Sequence, residues 1–166
     1  MMERWSIEVN KEAFKFSSAH FLIFPDGSAE RLHGHNYRVS VSLRGELSPF
    51  GLVLDFNRIK PLVERICKGL NEQWLIPGEH AVLTHCLRED GVVEVRYLDR
   101  YYAAPQEDVT VLPMNNTSVE NLSAWFGRTL LADIQVQFPD VMVEELAVSV
   151  EETAGQRAQY QYFAPK

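Results

Sequence analysis

The sequence predicts an α+β protein: an antiparallel β-sheet with two helices packed on one face. Three observations carry that expectation. Several stretches alternate apolar and polar residues, two separated stretches carry apolar residues at helical spacing, and no repeat or linker divides the chain. With 166 residues, 46% of them hydrophobic and 23% charged, the chain suits one domain over 1–166. A net charge of −7 argues against nucleic acid or an anionic membrane surface as partner, though not against a local basic pocket for a phosphorylated small molecule. The opening residues lack the apolar run of a signal peptide, and no apolar stretch of about 18 residues occurs. A soluble protein in a reducing, cytoplasmic setting is therefore expected. Cys67 and Cys86 are too few for a disulfide scaffold and lack zinc-site spacing.

The elements follow in order. Between Ser6 and His20, the residues Phe14, Phe16, Ser18 and His20 share one parity, as strands require. Pro25-Asp26-Gly27-Ser28 is a turn cluster. The next strand places His33, His35, Tyr37, Val39, Val41 and Leu43 on one face and Asn36, Arg38, Ser40 and Ser42 on the other. Leu52-Val53-Leu54 suggests a short further run. Phe56, Ile59, Val63, Ile66 and Leu70 define an amphipathic helix, with Asn57 as N-cap and Pro61 in its first turn. Residues 91–112 read as an extra hairpin broken at Ala103-Ala104-Pro105. Thr117-Ser118-Val119-Glu120 reads as a capping box opening a second helix, with Val119, Leu122, Phe126 and Leu130 buried and Pro139 beyond its end. Leu146, Val148, Val150 and Glu152 share one face of a final long strand, and Tyr160 to Phe163 can pair beside it.

Three of the five histidines stand where apolar side chains are expected. His33 and His35 are two apart on a strand, so both imidazoles point the same way, with Cα atoms roughly 7 Å apart. His20 ends another strand on the parity of Phe14 and Phe16. A His-x-His pair plus one remote histidine supplies three corners of a zinc tetrahedron, with the fourth open for water or substrate. The alternative is three core histidines bonded to backbone carbonyls. His80 and His85, in a loop-like stretch, read as surface residues. Glu152 puts a carboxylate on an apolar face, where it needs a partner. An arginine would make that partner a structural salt bridge; a ligand edge with two parallel donors would make it a binding site.

Phe16-Ser17-Ser18-Ala19-His20, Glu30-Arg31-Leu32-His33-Gly34-His35-Asn36-Tyr37 and Val53-Leu54-Asp55-Phe56 together resemble the 6-pyruvoyl-tetrahydropterin synthase family. That family includes the queuosine-pathway 6-carboxytetrahydropterin synthases. The resemblance continues through Glu120-Asn121-Leu122-Ser123 and Val150-Glu151-Glu152-Thr153, in the family's order. It implies a T-fold subunit whose sheets join edge to edge into a barrel, a hexameric homo-oligomer and active sites at subunit boundaries. It also implies that His20, His33 and His35 hold Zn2+ and that Glu152 accepts the 2-amino and N3–H edge of a pterin. Ser118 matches a family threonine beside the pterin. Glu120 matches a family glutamate, although its place in the capping box already explains it.

The chain departs from the family at the acid–base groups. The usual catalytic cysteine, four residues before His-Gly-His, is replaced by Ala29, and the usual Asp-His pair after the first helix by Asn71 and Glu72. One branch of the family lacks the cysteine and carries a glutamate three residues before His-Gly-His, where Glu30 stands here. That branch cleaves 7,8-dihydroneopterin triphosphate to 6-hydroxymethyl-7,8-dihydropterin, a folate precursor. The expectation is therefore a zinc-dependent pterin lyase with Glu30 as base and Glu72 as a second proton carrier. The alternatives are a 6-carboxytetrahydropterin or 6-pyruvoyl-tetrahydropterin synthase with relocated acid–base groups, and a non-catalytic zinc- and pterin-binding protein. Arg96, Arg100, Tyr97, Tyr101 and Tyr102 in the extra hairpin could cover the pocket or receive a triphosphate, or simply decorate the surface.

Overall fold

The computed structural model describes residues 3–165; Met1, Met2 and Lys166 of the expected 1–166 domain lie outside the described residues. Its strands are β1 (Trp5–Val9), β2 (Lys15–His20), β3 (His33–Gly45), β4 (Gln73–Pro77), β5 (Thr84–Leu87), β6 (Val92–Tyr97), β7 (Arg100–Pro105), β8 (Val109–Leu112), β9 (Val143–Thr153) and β10 (Gln156–Phe163). The helices are α1 (Phe56–Leu70) and α2 (Val119–Gln137). A seven-stranded sheet runs β10-β9-β3-β2-β4-β8, and β1 pairs with the far end of β3.

The alternation along β2, β3 and β9 sends one face into the core. Phe14, Phe16, Tyr37, Val39, Val41, Leu43, Leu146, Val148 and Val150 are buried there under Ile59, Val63, Ile66 and Leu70 of α1 and Leu122, Phe126, Leu130 and Ile134 of α2. Each such side chain contributes roughly 1.5–3 kcal/mol when fully buried. Both helices lie on this one face, as expected. The other face keeps Ser40, Ser42, Asn36 and Arg38.

Five expectations need correction. The sheet is mixed, because β4 runs parallel to β2 and β8 runs parallel to β4. Parallel neighbours need long return connections; here one contains α1 and the other a separate three-stranded sheet, β5-β6-β7. The 91–112 region accordingly splits. β6 and β7 form the hairpin, whereas β8 leaves it for the main sheet. The N-cap of α1 is Asp55, whose carboxylate accepts the Asn57 N–H at 2.8 Å, so Pro61 falls in the second turn. The segment 52–54 forms no strand and leads into that cap. The N-cap of α2 is Ser118, which accepts the Asn121 N–H at 3.3 Å. Thr117 is drawn into the core instead, its hydroxyl donating to Phe21 O at 3.3 Å, and Glu120 is left exposed without a capping bond.

The β5-β6-β7 sheet has its own small core. Val93, Val95 and Tyr97 pack with Phe21, Ile23, Trp74, Ile76 and Leu83. Tyr102 stacks on Phe21 with ring centroids 5.6 Å apart. This second core fixes the chain between β2 and β3, which carries Ala29 and Glu30.

Candidate metal and pterin site

Strand register builds the histidine cluster. His20 lies directly opposite His33, and Ser18 opposite His35, across the antiparallel β2–β3 pair. Parity then puts all three imidazoles on the helix-side face, with ring centroids 4.9, 5.2 and 4.7 Å apart pairwise. One nitrogen from each ring lies within 4.8 Å of the others. His20 is fully buried, while His33 and His35 open towards solvent.

Hydrogen bonds assign the ring nitrogens. His20 Nδ1 donates to Thr117 O at 2.9 Å, and His33 Nδ1 donates to Arg31 O at 2.7 Å. Each bond fixes the Nδ1–H tautomer and leaves Nε2 as a lone pair aimed into the cluster, the usual arrangement behind a metal-ligating histidine. His20 Nε2 is buried with no hydrogen-bond partner. Glu152 Oε1 stands 3.1 Å from it and 3.6 Å from His35 Nε2. Two acceptors facing each other at that distance need a proton or a cation between them. Burial holds His20 below the ordinary imidazole value, against the pull of Thr117 O and Glu152. A divalent cation satisfies this geometry as a proton would, and three nitrogens without sulfur are a donor set that fits zinc.

Tyr37 floors the site and donates its hydroxyl to Glu152 Oε1 at 3.3 Å. Burial, reinforced by the Glu152 carboxylate, pushes its phenol far above the usual value, so Tyr37 stays a donor. Glu152 points into the cluster as its strand parity requires. No arginine pairs with it among the described residues, so the salt-bridge alternative is not what the structure contains.

Glu30 closes one side. Its Oε2 accepts the Leu22 N–H at 3.0 Å and lies 3.8 Å from His33 Nε2. Neighbouring Ala29 makes an isolated bridge with Ile23, whose N–H and C=O are both held by the Asn116 side chain, at 3.2 and 2.9 Å. Glu72 makes no hydrogen bond or ion pair with this cluster, although it lines the same open cleft as His35. Asn71 caps α1 and accepts the Ser17 N–H at 2.9 Å, and the Glu72 N–H donates to Ser17 O at 2.7 Å from a left-handed backbone with φ of 60°. These two residues lash the end of α1 to β2, and the exposed Glu72 side chain borders an open cleft with Ser17, Asn36 and Asp108.

Of the two hairpin arginines, Arg100 is not free for a phosphate, whereas the Arg96 side chain is largely exposed. Arg100 is committed to the carbonyls of Ala29 and Glu30, and Arg96 lies over the Tyr101 ring at 4.5 Å. His85 is exposed, as expected. His80 is partly buried and organises its loop, its Nδ1 accepting the Val82 and Leu83 N–H groups at 3.1 and 3.0 Å. The sequence alone does not single out Asn116, Thr117 or Arg100 as groups that build the site. The Asn-Asn-Thr-Ser run just before α2 is the only local signal for the first two.

Comparison with known proteins agrees with this geometry. The family model described as 6-pyruvoyl tetrahydropterin synthase matches residues 8–162. A Methanocaldococcus jannaschii protein, provisionally named 6-carboxy-5,6,7,8-tetrahydropterin synthase, is 34% identical over 150 residues, 90% of each chain. The 6-carboxy-5,6,7,8-tetrahydropterin synthase of Haemophilus influenzae is 34% identical over 80 residues, 46% of this chain and 51% of its own. A solved structure of Plasmodium vivax 6-pyruvoyltetrahydropterin synthase, in which a catalytic glutamate is replaced by alanine, superposes with a TM-score of 0.90. That structure is 28% identical and covers 98% of this chain and 100% of its own. No described helix is long and apolar enough to cross a membrane. With its T-fold topology and its histidine cluster in place, the chain belongs to the 6-pyruvoyl tetrahydropterin synthase family of pterin-processing enzymes.

Proposed function

We propose that this protein is a zinc-dependent lyase that cleaves the side chain of 7,8-dihydroneopterin triphosphate to 6-hydroxymethyl-7,8-dihydropterin, with Glu30 as general base. The observation that carries this reading is the Glu30 carboxylate at the rim of the histidine cluster, 3.8 Å from His33 Nε2, beside Ala29 in the place of the family cysteine. The Plasmodium vivax neighbour, whose catalytic residue is named as a glutamate, supports the same choice.

The residues divide the work. His20, His33 and His35 are the groups that would hold zinc. When bound, the ion supplies Lewis-acid polarisation of the side-chain hydroxyls and lowers their pKa. Glu152 accepts the paired donors of the pterin edge, and Tyr37 keeps that carboxylate oriented. Ser118 uses its hydroxyl as acceptor in the helix cap and still has a proton to donate to the substrate. Glu30 takes the proton from the side-chain hydroxyl one carbon beyond the ring-proximal carbinol. That oxygen becomes a carbonyl, the carbon–carbon bond breaks, and its electron pair passes to the ring-proximal carbon and the electron-poor dihydropterin. The ring-proximal carbon then regains a proton, so an aldehyde leaves and the hydroxymethyl product remains. Glu72, on an open cleft that His35 also lines, is assigned the part of second proton carrier, in a homo-oligomer with sites at subunit boundaries.

A second reading, 6-carboxytetrahydropterin synthesis from the same substrate, is favoured by the names of the curated relatives. Mass spectrometry of the products from 7,8-dihydroneopterin triphosphate separates the two. The lyase reading expects 6-hydroxymethyl-7,8-dihydropterin, with turnover down about 100-fold or more in Glu30→Ala. Formation of 6-carboxytetrahydropterin and acetaldehyde would establish the second reading in its place, and turnover unchanged in Glu30→Ala would remove the assigned base.

A further inference from the structure

The β5-β6-β7 sheet touches the site at one point. Tyr97 and Arg100 face each other across the β6–β7 hairpin, on either side of the Leu98-Asp99 turn. Tyr97 donates its hydroxyl to Gly27 O at 2.7 Å. Arg100 Nη2 donates to Ala29 O at 2.8 Å, and its Nη1 donates to Glu30 O. The planar guanidinium thus spans two successive carbonyls of the segment that ends in Glu30, a fork that a lysine ammonium cannot reproduce. The opposite side of Glu30 is held by Leu22, through Glu30 N–H to Leu22 O at 3.0 Å and Leu22 N–H to the Glu30 carboxylate.

The turn that presents these two residues is strained. Leu98 has φ of 51° without being glycine, and its side chain is 67% exposed, so burial does not explain why a leucine sits there. A two-residue connection nevertheless delivers Tyr97 and Arg100 side by side to the 27–30 carbonyls. Neither residue makes a hydrogen bond or ring contact with His20, His33, His35 or Glu152; the Tyr97 ring instead packs edge-on against His80, with centroids 5.7 Å apart.

We propose that Arg100, with Tyr97 as a second strut, is a positioning residue that fixes the Glu30 carboxylate beside His33 by clamping the backbone of residues 27–30. This rests on the reading of Glu30 as base. A base displaced by about 1 Å can lose on the order of 100-fold in rate while substrate contacts elsewhere persist. The effect of releasing the clamp therefore belongs in kcat and not in KM.

The test uses the full-length, zinc-loaded protein and the variants Arg100→Ala, Arg100→Lys, Tyr97→Phe and Glu30→Ala. Amide hydrogen exchange over residues 21–31 is followed alongside turnover of 7,8-dihydroneopterin triphosphate. Arg100→Ala should lower kcat by about 10- to 100-fold, with KM within about twofold and faster exchange confined to 21–31. Arg100→Lys should recover part of both effects. Tyr97→Phe, which removes one hydroxyl and keeps the ring in its core, should lower kcat by a few-fold and carries the test if Arg100→Ala does not fold. Unchanged exchange over 21–31, or unchanged kcat, while Glu30→Ala abolishes turnover would overturn the proposal. Full turnover in Glu30→Ala would instead overturn the assignment of the base, and the exchange data, which need no turnover, keep the two failures apart.

Discussion

Glu152 Oε1 stands 3.1 Å from His20 Nε2, a carboxylate oxygen facing an imidazole lone pair inside a largely buried site. Because the Tyr37 hydroxyl donates to the same oxygen, Glu152 is held where it can face both a cation and a ligand edge. Charge-assisted hydrogen bonds are worth about 1.5–3 kcal/mol each. Glu152→Ala should therefore weaken dihydropterin binding about 10- to 100-fold, read by fluorescence titration. Unchanged affinity would remove Glu152 as the anchor.

The burial of His20 sets a pH dependence for the metal-free protein. Its folded pKa lies below the ordinary imidazole value, chiefly through desolvation. In the unfolded chain the same ring takes up its proton near about pH 6.5. Below that pH the unfolded state binds more protons, so stability is complete above about 6.5 and falls as the pH drops beneath it, by at most about 1.4 kcal/mol per pH unit. Urea midpoints of chelator-treated protein between about pH 7.5 and 5.5 should show this slope, and His20→Gln should flatten it. Identical slopes in the two proteins would show that His20 is not the group responsible.

The two cysteines should differ sharply in reactivity. Burial, with the nearby Glu64 charge, pushes the Cys67 thiol up to about 12, whereas Cys86 is exposed on β5. A thiol reagent at mild alkaline pH should titrate one cysteine in the native protein and the second only in denaturant. Two fast-reacting thiols in the native state would contradict the packing described for α1.

Gly127 sits mid-helix in α2, where alanine would ordinarily gain about 1 kcal/mol. A Cβ there would collide with the Tyr160 ring on β10, and overpacking of that kind costs about 1–3 kcal/mol. Gly127→Ala should thus destabilise the protein by roughly 1 kcal/mol, and the sign should reverse in a Tyr160→Ala background. Chemical denaturation of the four proteins in this cycle checks it.

Parity makes much of the site legible in the sequence. The period of two along β2, β3 and β9 places His20, His33, His35 and Glu152 on the core face, because register and alternation are set by the same apolar residues that build the core. The bonds that give those residues their chemistry are hidden from such a reading. Thr117 O and Arg31 O, which choose the tautomers, are backbone atoms, and backbone atoms leave no residue-type signal. The caps slide by a residue or two because Asp55 and Asn57, like Thr117 and Ser118, are near-equivalent capping residues, and tertiary contacts decide between them. The parallel placement of β4 and β8 depends on where α1 and the β5-β6-β7 excursion return the chain, which local periodicity does not encode. Arg100 has the sequence signature of an exposed charge and acts in the fold as a clamp seventy residues along the chain from Glu30.

X-ray absorption at the zinc edge, on protein purified without chelator, tests the central claim that three imidazoles converge on one divalent ion. We expect about one zinc per chain with nitrogen ligands at about 2.0–2.1 Å, and loss of the metal in His33→Ala. Protein that binds no zinc, or that keeps its full complement after His20, His33 and His35 are all replaced, would contradict the account.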